Sequence, residues 1–415
     1  AQLQLNDGGV WVTNQAKMLV GHLNYPSRTL DGGVGAGSNK FDVSQAENIV
    51  LLHDTGLTKV QSVDTAVLAK GDGATIRDGL TLLQGGQVAV ASDAKAGKVW
   101  LLDPADVDTF NPEQDPTLDK LAGVRAIPGT DGVVHLVTPD GAVRKVVDGK
   151  AVDDGRIQGL SDLATASLTV VGDTLVVLDK AGSSVRTAKG SVAVDAAAKL
   201  VLQQPGAAND RVLLAGPDAY VWAPLGGGNA VVTPNGEGTG TPAAPVYLDG
   251  CAYLAWSGSG AYVRDCARDA DDQKKHDEHL KTFGQIAFRV NRDVIVLNDL
   301  ANGMILLVNE NMRVVENWDV IESSITKQDD TQTSTETTDE PARLDKRDTN
   351  TKPEAKDDDY GVRPGRTFTL PVLENDLDAD GDLLTASVKT PPTGATVSRL
   401  RGGEALSIAV PDDAT

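Results

Sequence analysis

Apolar residues along this chain come in short runs, each closed by a polar or glycine-containing turn. Eight runs share one design: Val10–Asn14, Ile49–Asp54, Val88–Asp93, Val133–Pro139, Leu175–Asp179, Val212–Gly216, Tyr253–Ser257 and Val294–Asn298. They are rich in Val, Leu and Ile and too brief for helices, so they predict buried strands. A further strand follows each turn, as in Lys98-Val99-Trp100-Leu101-Leu102 and Ala219-Tyr220-Val221-Trp222. The turns Asp54-Thr55-Gly56, Pro139-Asp140-Gly141, Asp179-Lys180-Ala181-Gly182 and Ser257-Gly258-Ser259-Gly260 supply residues that tolerate φ > 0 in tight hairpins.

The runs end about 37 to 46 positions apart, the period of propeller blades. Small sheets arranged radially bury both faces and leave only short edges. The expectation is an all-β chain with a single β-propeller over residues 1–321. Eight blades is the reading, and seven the alternative if the end units share one blade. Two separate β-sandwiches are disfavoured by the even spacing and by the lack of a composition break before residue 321.

The two cysteines fall inside one unit. In the run Cys251 to Cys266 the turn centres on Gly258-Ser259, which sets Leu254 opposite Val263 and Cys251 opposite Cys266. Directly opposed strand positions bring Cβ atoms within ~4.5–5.5 Å, close to disulfide geometry. A Cys251–Cys266 bridge is therefore expected, and with it an oxidising, extracellular setting. The charged stretch that follows, Ala267 to Leu280, predicts a short surface helix carrying His276 and His279. With Asp272 or Asp277 these two could hold a metal; a solvated helix is the default reading.

From Glu322 the character changes. Gln328 to Pro341 holds almost no apolar residue, and polarity continues to Asp359, so 322–359 is expected to be a disordered acidic linker, its threonines open to glycosylation. Order is expected to return over 360–415. There Asp376, Asp378, Asp380 and Asp382 place hard oxygen ligands at alternate positions around Gly381, like the start of a calcium loop. They are the candidate calcium ligands, against the alternative of a solvated Asp/Gly turn. The twelfth position is Ser387 and not a bidentate Glu, a departure from an EF-hand. No cofactor is expected in the propeller.

The segment Val372-Leu373-Glu374-Asn375-Asp376-Leu377-Asp378-Ala379-Asp380-Gly381-Asp382 resembles the signature of bacterial cadherin-like, Ig-like repeats of surface adhesins. The resemblance implies a partial Ig-like β-sandwich, with Ala395-Thr396-Val397-Ser398 as another strand and a last strand beyond Thr415. The N-terminal Asn6–Asn14, Gly21–Pro26 and Leu30–Gly33 resemble large actinobacterial cell-surface proteins with Ig-like or fibronectin type III modules. That resemblance implies a membrane helix just before Ala1 and a long array of modules after Thr415.

Charge narrows the partners. A formal net charge of −21 opposes nucleic acid and anionic membrane surfaces; membrane attachment is expected only through an anchor outside these residues. The segment Ala91 to Trp100 resembles a blade repeat of quinoprotein dehydrogenases, but that repeat is a structural hairpin. Neither that family's adjacent cysteines nor a sialidase-like arginine cluster with a Tyr/Glu pair can be assembled, and His53 and His135 sit within strands. The expected function is non-enzymatic: an extracellular, cell-surface binding and adhesion protein whose propeller presents a surface to a protein or glycan. A purely structural spacer at the base of a fibre is the alternative, ahead of a quinoprotein-like or glycosidase-type enzyme.

Overall fold

The structure is a computed structural model that describes residues 9–322 without interruption and stretches between 352 and 411. The chain separates into two compact units, residues 1–330 and 331–415.

The first unit is an eight-bladed β-propeller. Eight antiparallel sheets follow one another along the chain, and each of the eight runs singled out above lies in a strand of its own sheet. Blades 1 to 8 begin at Gly9, Phe41, Leu80, Arg125, Ser167, Val201, Thr241 and Ile286. Between consecutive blades lie apolar clusters, such as Val10, Val12, Leu23, Val296 and Leu307 between blades 1 and 8. Val and Leu dominate because both faces of each strand are covered, which explains continuous apolar runs in place of alternation.

The blades differ in their outer parts for local reasons. In blade 2 the outer strand is split into Ala69–Lys70 and Ala74–Thr75 around Gly71-Asp72-Gly73. Asp108, on the 3-10 helix Pro104–Thr109, plugs that gap by accepting from the N–H of Ser62 (3.2 Å) and of Gly73 (2.8 Å). Blade 3 spends its chain on this plug. It has three strands, Leu80–Gly85, Val88–Asp93 and Lys98–Leu102, and in place of a fourth strand the irregular stretch 117–121 meets its outer edge. Val99 and Leu118 exchange backbone hydrogen bonds (3.0 Å), the Leu121 N–H donates to the Gly97 carbonyl (2.9 Å) and the Leu101 N–H to Thr117 Oγ1 (2.9 Å). In blade 7 the inner strand breaks into Thr241–Pro242 and Val246–Leu248 at Pro245, which has no N–H to donate.

Among the described residues the first and last blades share no sheet, and side-chain amides join them. Asn298 of blade 8 accepts from the Thr13 N–H (2.9 Å) and donates to the Thr13 carbonyl (3.1 Å), across 285 positions of sequence. Gln45 accepts from the Trp11 N–H (2.9 Å), and Asn291 donates to the Gly9 carbonyl (2.8 Å). Among the described residues, side-chain amides thus meet backbone groups along Gly9–Asn14. Beyond blade 8, Trp318 and Ile321 fold back over Gly21 and Gly33, where any Cβ would clash with them.

The hairpin turns correct one expectation. In the first turns it is not Gly56 or Gly182 that takes the left-handed conformation but the residue four places after the strand's last Asn or Asp: Met18, Thr58, Gly97, Ser183 and Gly303. The left-handed residue falls two positions after Gly56 and one after Gly182. At Gly141, Gly258 and Gly260 the positive φ is as expected.

Cys251 and Cys266 are opposite one another, as are Leu254 and Val263, and the disulfide is formed. Thiol titration of the unfolded, non-reduced protein is therefore expected to find no reactive group. Replacing both by Ser should cost about 2–3 kcal/mol, given the 15-residue separation. The charged stretch after Cys266 departs from the predicted helix. It forms a 3-10 turn Asp269–Asp271, an outer strand Gln273–His276 and a five-residue helix Glu278–Thr282. Strand formation wins because Lys274 and Lys275 pair with Val263 and Tyr262 at an otherwise open edge.

In the second unit the described residues form a three-stranded antiparallel sheet in the order Thr367–Leu370, Ala405–Ala409, Thr396–Leu400. The strand expected around Thr396 is present. No described helix is long and apolar enough to cross a membrane.

Candidate functional site

The repeated Asp at the end of a blade's second strand is the first group to account for, since clustered carboxylates suggest chemistry. Asp54, Asp93, Asp179 and Asp299 are all buried, and each accepts from its own turn. Asp54 takes the Leu57 N–H (3.0 Å), Asp93 that of Ala96 (2.8 Å), Asp179 that of Gly182 (2.9 Å) and Asp299 that of Ala301 (3.1 Å). Asn14 does the same in blade 1 with Lys17 (3.0 Å). These side chains hold turns.

One serine–histidine pair faces the inner strands. Ser44 Oγ lies 2.9 Å from His53 Nε2 and 2.7 Å from Gln84 Oε1. Gln84 Nε2 donates to the Ile49 carbonyl (3.2 Å), which aims its amide oxygen at Ser44. The single hydroxyl proton therefore goes to Gln84, and His53 must donate to the hydroxyl oxygen. That polarity is the reverse of a general base taking a proton from serine. Burial, ahead of a smaller opposing effect of Asp42, pushes the His53 pKa down.

His135 is fully buried on blade 4, with no hydrogen-bond partner at either ring nitrogen. Burial lowers its pKa; the charge of Lys145 acts in the same direction, and Asp154, Asp131 and Asp173 oppose it. A histidine pKa lowered by folding contributes stability above its unfolded value near 6.5, and that stability is lost as pH falls. His135→Leu is expected to make the propeller less sensitive to acid between pH 7 and 5, read as a smaller drop in denaturation midpoint. An undiminished drop would show that His135 is not the group responsible.

His276 and His279 do not share a helix. His276 ends an outer strand between Glu237 (2.9 Å) and Glu278 (3.0 Å), His279 pairs with Asp277 (3.1 Å), and Asp272 is taken by the Cys266 N–H (2.8 Å). The structure does not bring them together as a metal set. Of the calcium candidates, Asp376 accepts from the Lys356 N–H (2.7 Å); Asp378, Asp380 and Asp382 lie outside the described residues. Among the described residues no cluster of metal-ligating side chains forms.

A further feature is a groove of about 350 Å³ between blades 3 and 4, within the ~300–1,000 Å³ span of ligand clefts. Its floor is apolar: Val88 and Leu101 from blade 3, Val134 and Val146 from blade 4. Its rim carries Gln87, Asp103 and Asp148. The inner wall is a backbone-to-backbone contact of two hairpins, in which a Cβ on Gly86 would come within 2.7 Å of the Gly132 nitrogen. On the outer side blade 3 ends at its third strand: the chain turns away at Asp103 to plug blade 2 and returns to the edge only as the irregular stretch 117–121, whose Thr117 accepts the Leu101 N–H (2.9 Å). Sequence reading did not find this groove. In the sequence the irregular edge shows only as a proline- and aspartate-rich stretch, Pro104–Pro116, in place of a fourth apolar run.

No family model matches the chain, and no curated protein matches it. Solved structures do. Apo AztD from Citrobacter koseri is 12% identical, with 72% of this chain and 90% of that chain covered and a TM-score of 0.47. A computationally designed protein, Ika8, is 11% identical (72% and 93% covered, TM-score 0.49), and BamB from Moraxella catarrhalis is 13% identical (73% and 94%, TM-score 0.45). These likenesses carry no functional inference.

Proposed function

We propose that the propeller is a non-enzymatic binding module of an extracellular, cell-surface protein, and that its ligand, a protein or a glycan, engages the groove between blades 3 and 4. The groove carries the reading. It combines an apolar floor with a polar rim in a cleft between two blades, features of a recognition site. The disulfide supports an oxidising exterior. The engagement of the buried aspartates in turns, and the direction of the Ser44–His53 hydrogen bond, support binding over catalysis.

The test compares the full chain with two groove-blocked variants, Leu101→Arg and the rim variant Gln87→Trp, on a random peptide display library and a glycan array. Val231→Arg, at the exposed outer edge of blade 6, serves as control. Ligands retained by wild type and Val231→Arg but lost from both groove variants are expected. Ligands insensitive to the groove variants would move the site elsewhere, and a propeller that retains none would return the reading to a structural spacer.

A further inference from the structure

The chemistry of the groove selects among ligands. Its floor offers Val88, Leu101 and Val134 with no polar side chain between them, a surface matched by an aliphatic or aromatic side chain and poorly by a hydroxyl-rich sugar. Its rim holds two carboxylates, Asp103 and Asp148, both exposed, and no cation lines it. The whole chain, these two carboxylates included, carries a formal net charge of −21, a sign that favours cationic ligands over anionic ones.

We propose that this groove binds a protein segment in which one bulky apolar side chain is flanked by lysine or arginine. The apolar side chain enters between Leu101 and Val146, and the flanking cations meet Asp103 and Asp148. This rests on the reading of the groove as the binding site and adds the class of ligand. Neither carboxylate is spent on the core. Asp103 accepts only the N–H of Ala105 within its own turn (2.9 Å), a bond asparagine can also make. Asp148 sits in a hairpin at φ 49°, a conformation that asparagine tolerates. Both can therefore lose their charge while the turns persist.

The experiment uses the full chain and three blocked hexapeptides that differ at their centre: Arg-Leu-Arg, Arg-Ala-Arg and Glu-Leu-Glu, with affinities measured by calorimetry or NMR titration at low and physiological salt. Arg-Leu-Arg is expected to bind, Glu-Leu-Glu roughly tenfold or more weakly, and Arg-Ala-Arg weakly because the floor is left unfilled. Asp103→Asn with Asp148→Asn should weaken Arg-Leu-Arg roughly fivefold and flatten its salt dependence, with an unchanged thermal midpoint. Gln87→Trp should abolish binding. Equal binding of Glu-Leu-Glu and Arg-Leu-Arg overturns the proposal, as does binding untouched by Gln87→Trp. If display ligands or glycans depend on the groove yet carry no cation, the ligand class fails while the groove remains the binding site.

Discussion

Asn298→Asp is expected to be among the most destabilising single substitutions in the propeller, at about 3–5 kcal/mol. Asn298 is fully buried and uses both ends of its amide. Oδ1 accepts from the Thr13 N–H (2.9 Å) and hydroxyl (3.2 Å), and Nδ2 donates to the carbonyls of Thr13 (3.1 Å) and Asp299 (3.0 Å). Aspartate keeps the acceptor and loses the donor. It also sets a buried charge beside Asp299, itself a buried acid. Asn298→Ala should cost less, about 2–3 kcal/mol, because it strands backbone groups without adding a charge. Denaturant unfolding gives the totals, and hydrogen exchange at the Thr13 amide reports the seam directly. If exchange at Thr13 accelerates no more than at the matching strand of blade 5, the amide clamp is not what closes the ring.

The closure shows why part of the fold was legible in the sequence and part was not. A blade's second strand is buried on both faces, so its apolar run recurs in each blade, in five of the eight with a terminal Asn or Asp, and the period exposes them. Cys251 and Cys266 were placed by the same logic, since a hairpin's register follows from its turn. Asn298, Gln45 and Asn291 carry no such signal. They act on a strand hundreds of positions away or in another blade, and a polar residue inside an apolar run looks like any other. The short helix expected after Cys266 failed for a related reason. Local charge favours a solvated helix, but the open edge of Ala261–Cys266 offers hydrogen bonds that only a strand can take.

The groove was hidden differently. It lies where the stretch after Leu102 first serves blade 2, through Asp108, and returns to blade 3 only as an irregular edge at 117–121. No residue of the groove is unusual by itself: Val88, Leu101 and Val146 are ordinary, partly buried strand residues brought together from two blades, and such a site leaves no motif.

Asp179 and Asp299 occupy equivalent turns and are expected to respond oppositely to the same substitution. Burial alone would raise the Asp179 pKa. The N–H groups of Ser161 and Gly182, the Ser161 hydroxyl and the charge of Arg186 outweigh it, and the pKa is lowered. For Asp299 burial dominates; the N–H groups of Ala301 and Gly284 only partly offset it, Oδ2 has no hydrogen-bond partner, and the pKa is raised. The signs follow. A lowered carboxylate pKa stabilises the fold above the unfolded value near 3.8 and loses that contribution as pH falls. A raised one costs stability once the group ionises and recovers it on acidification. Asp179→Asn should therefore destabilise at pH 7, by about 2–3 kcal/mol since it also unpairs Arg186 at 3.1 Å, with a deficit that narrows toward pH 3. Asp299→Asn should be neutral or stabilising at pH 7, with an advantage that vanishes as the native aspartate protonates. Blade 1 already carries asparagine at this position, where Asn14 accepts from Lys17. Denaturation midpoints of both variants between pH 3 and 8 decide the matter: two curves that diverge from wild type in the same direction would mean that the turn position, and not the partners around it, sets the energetics.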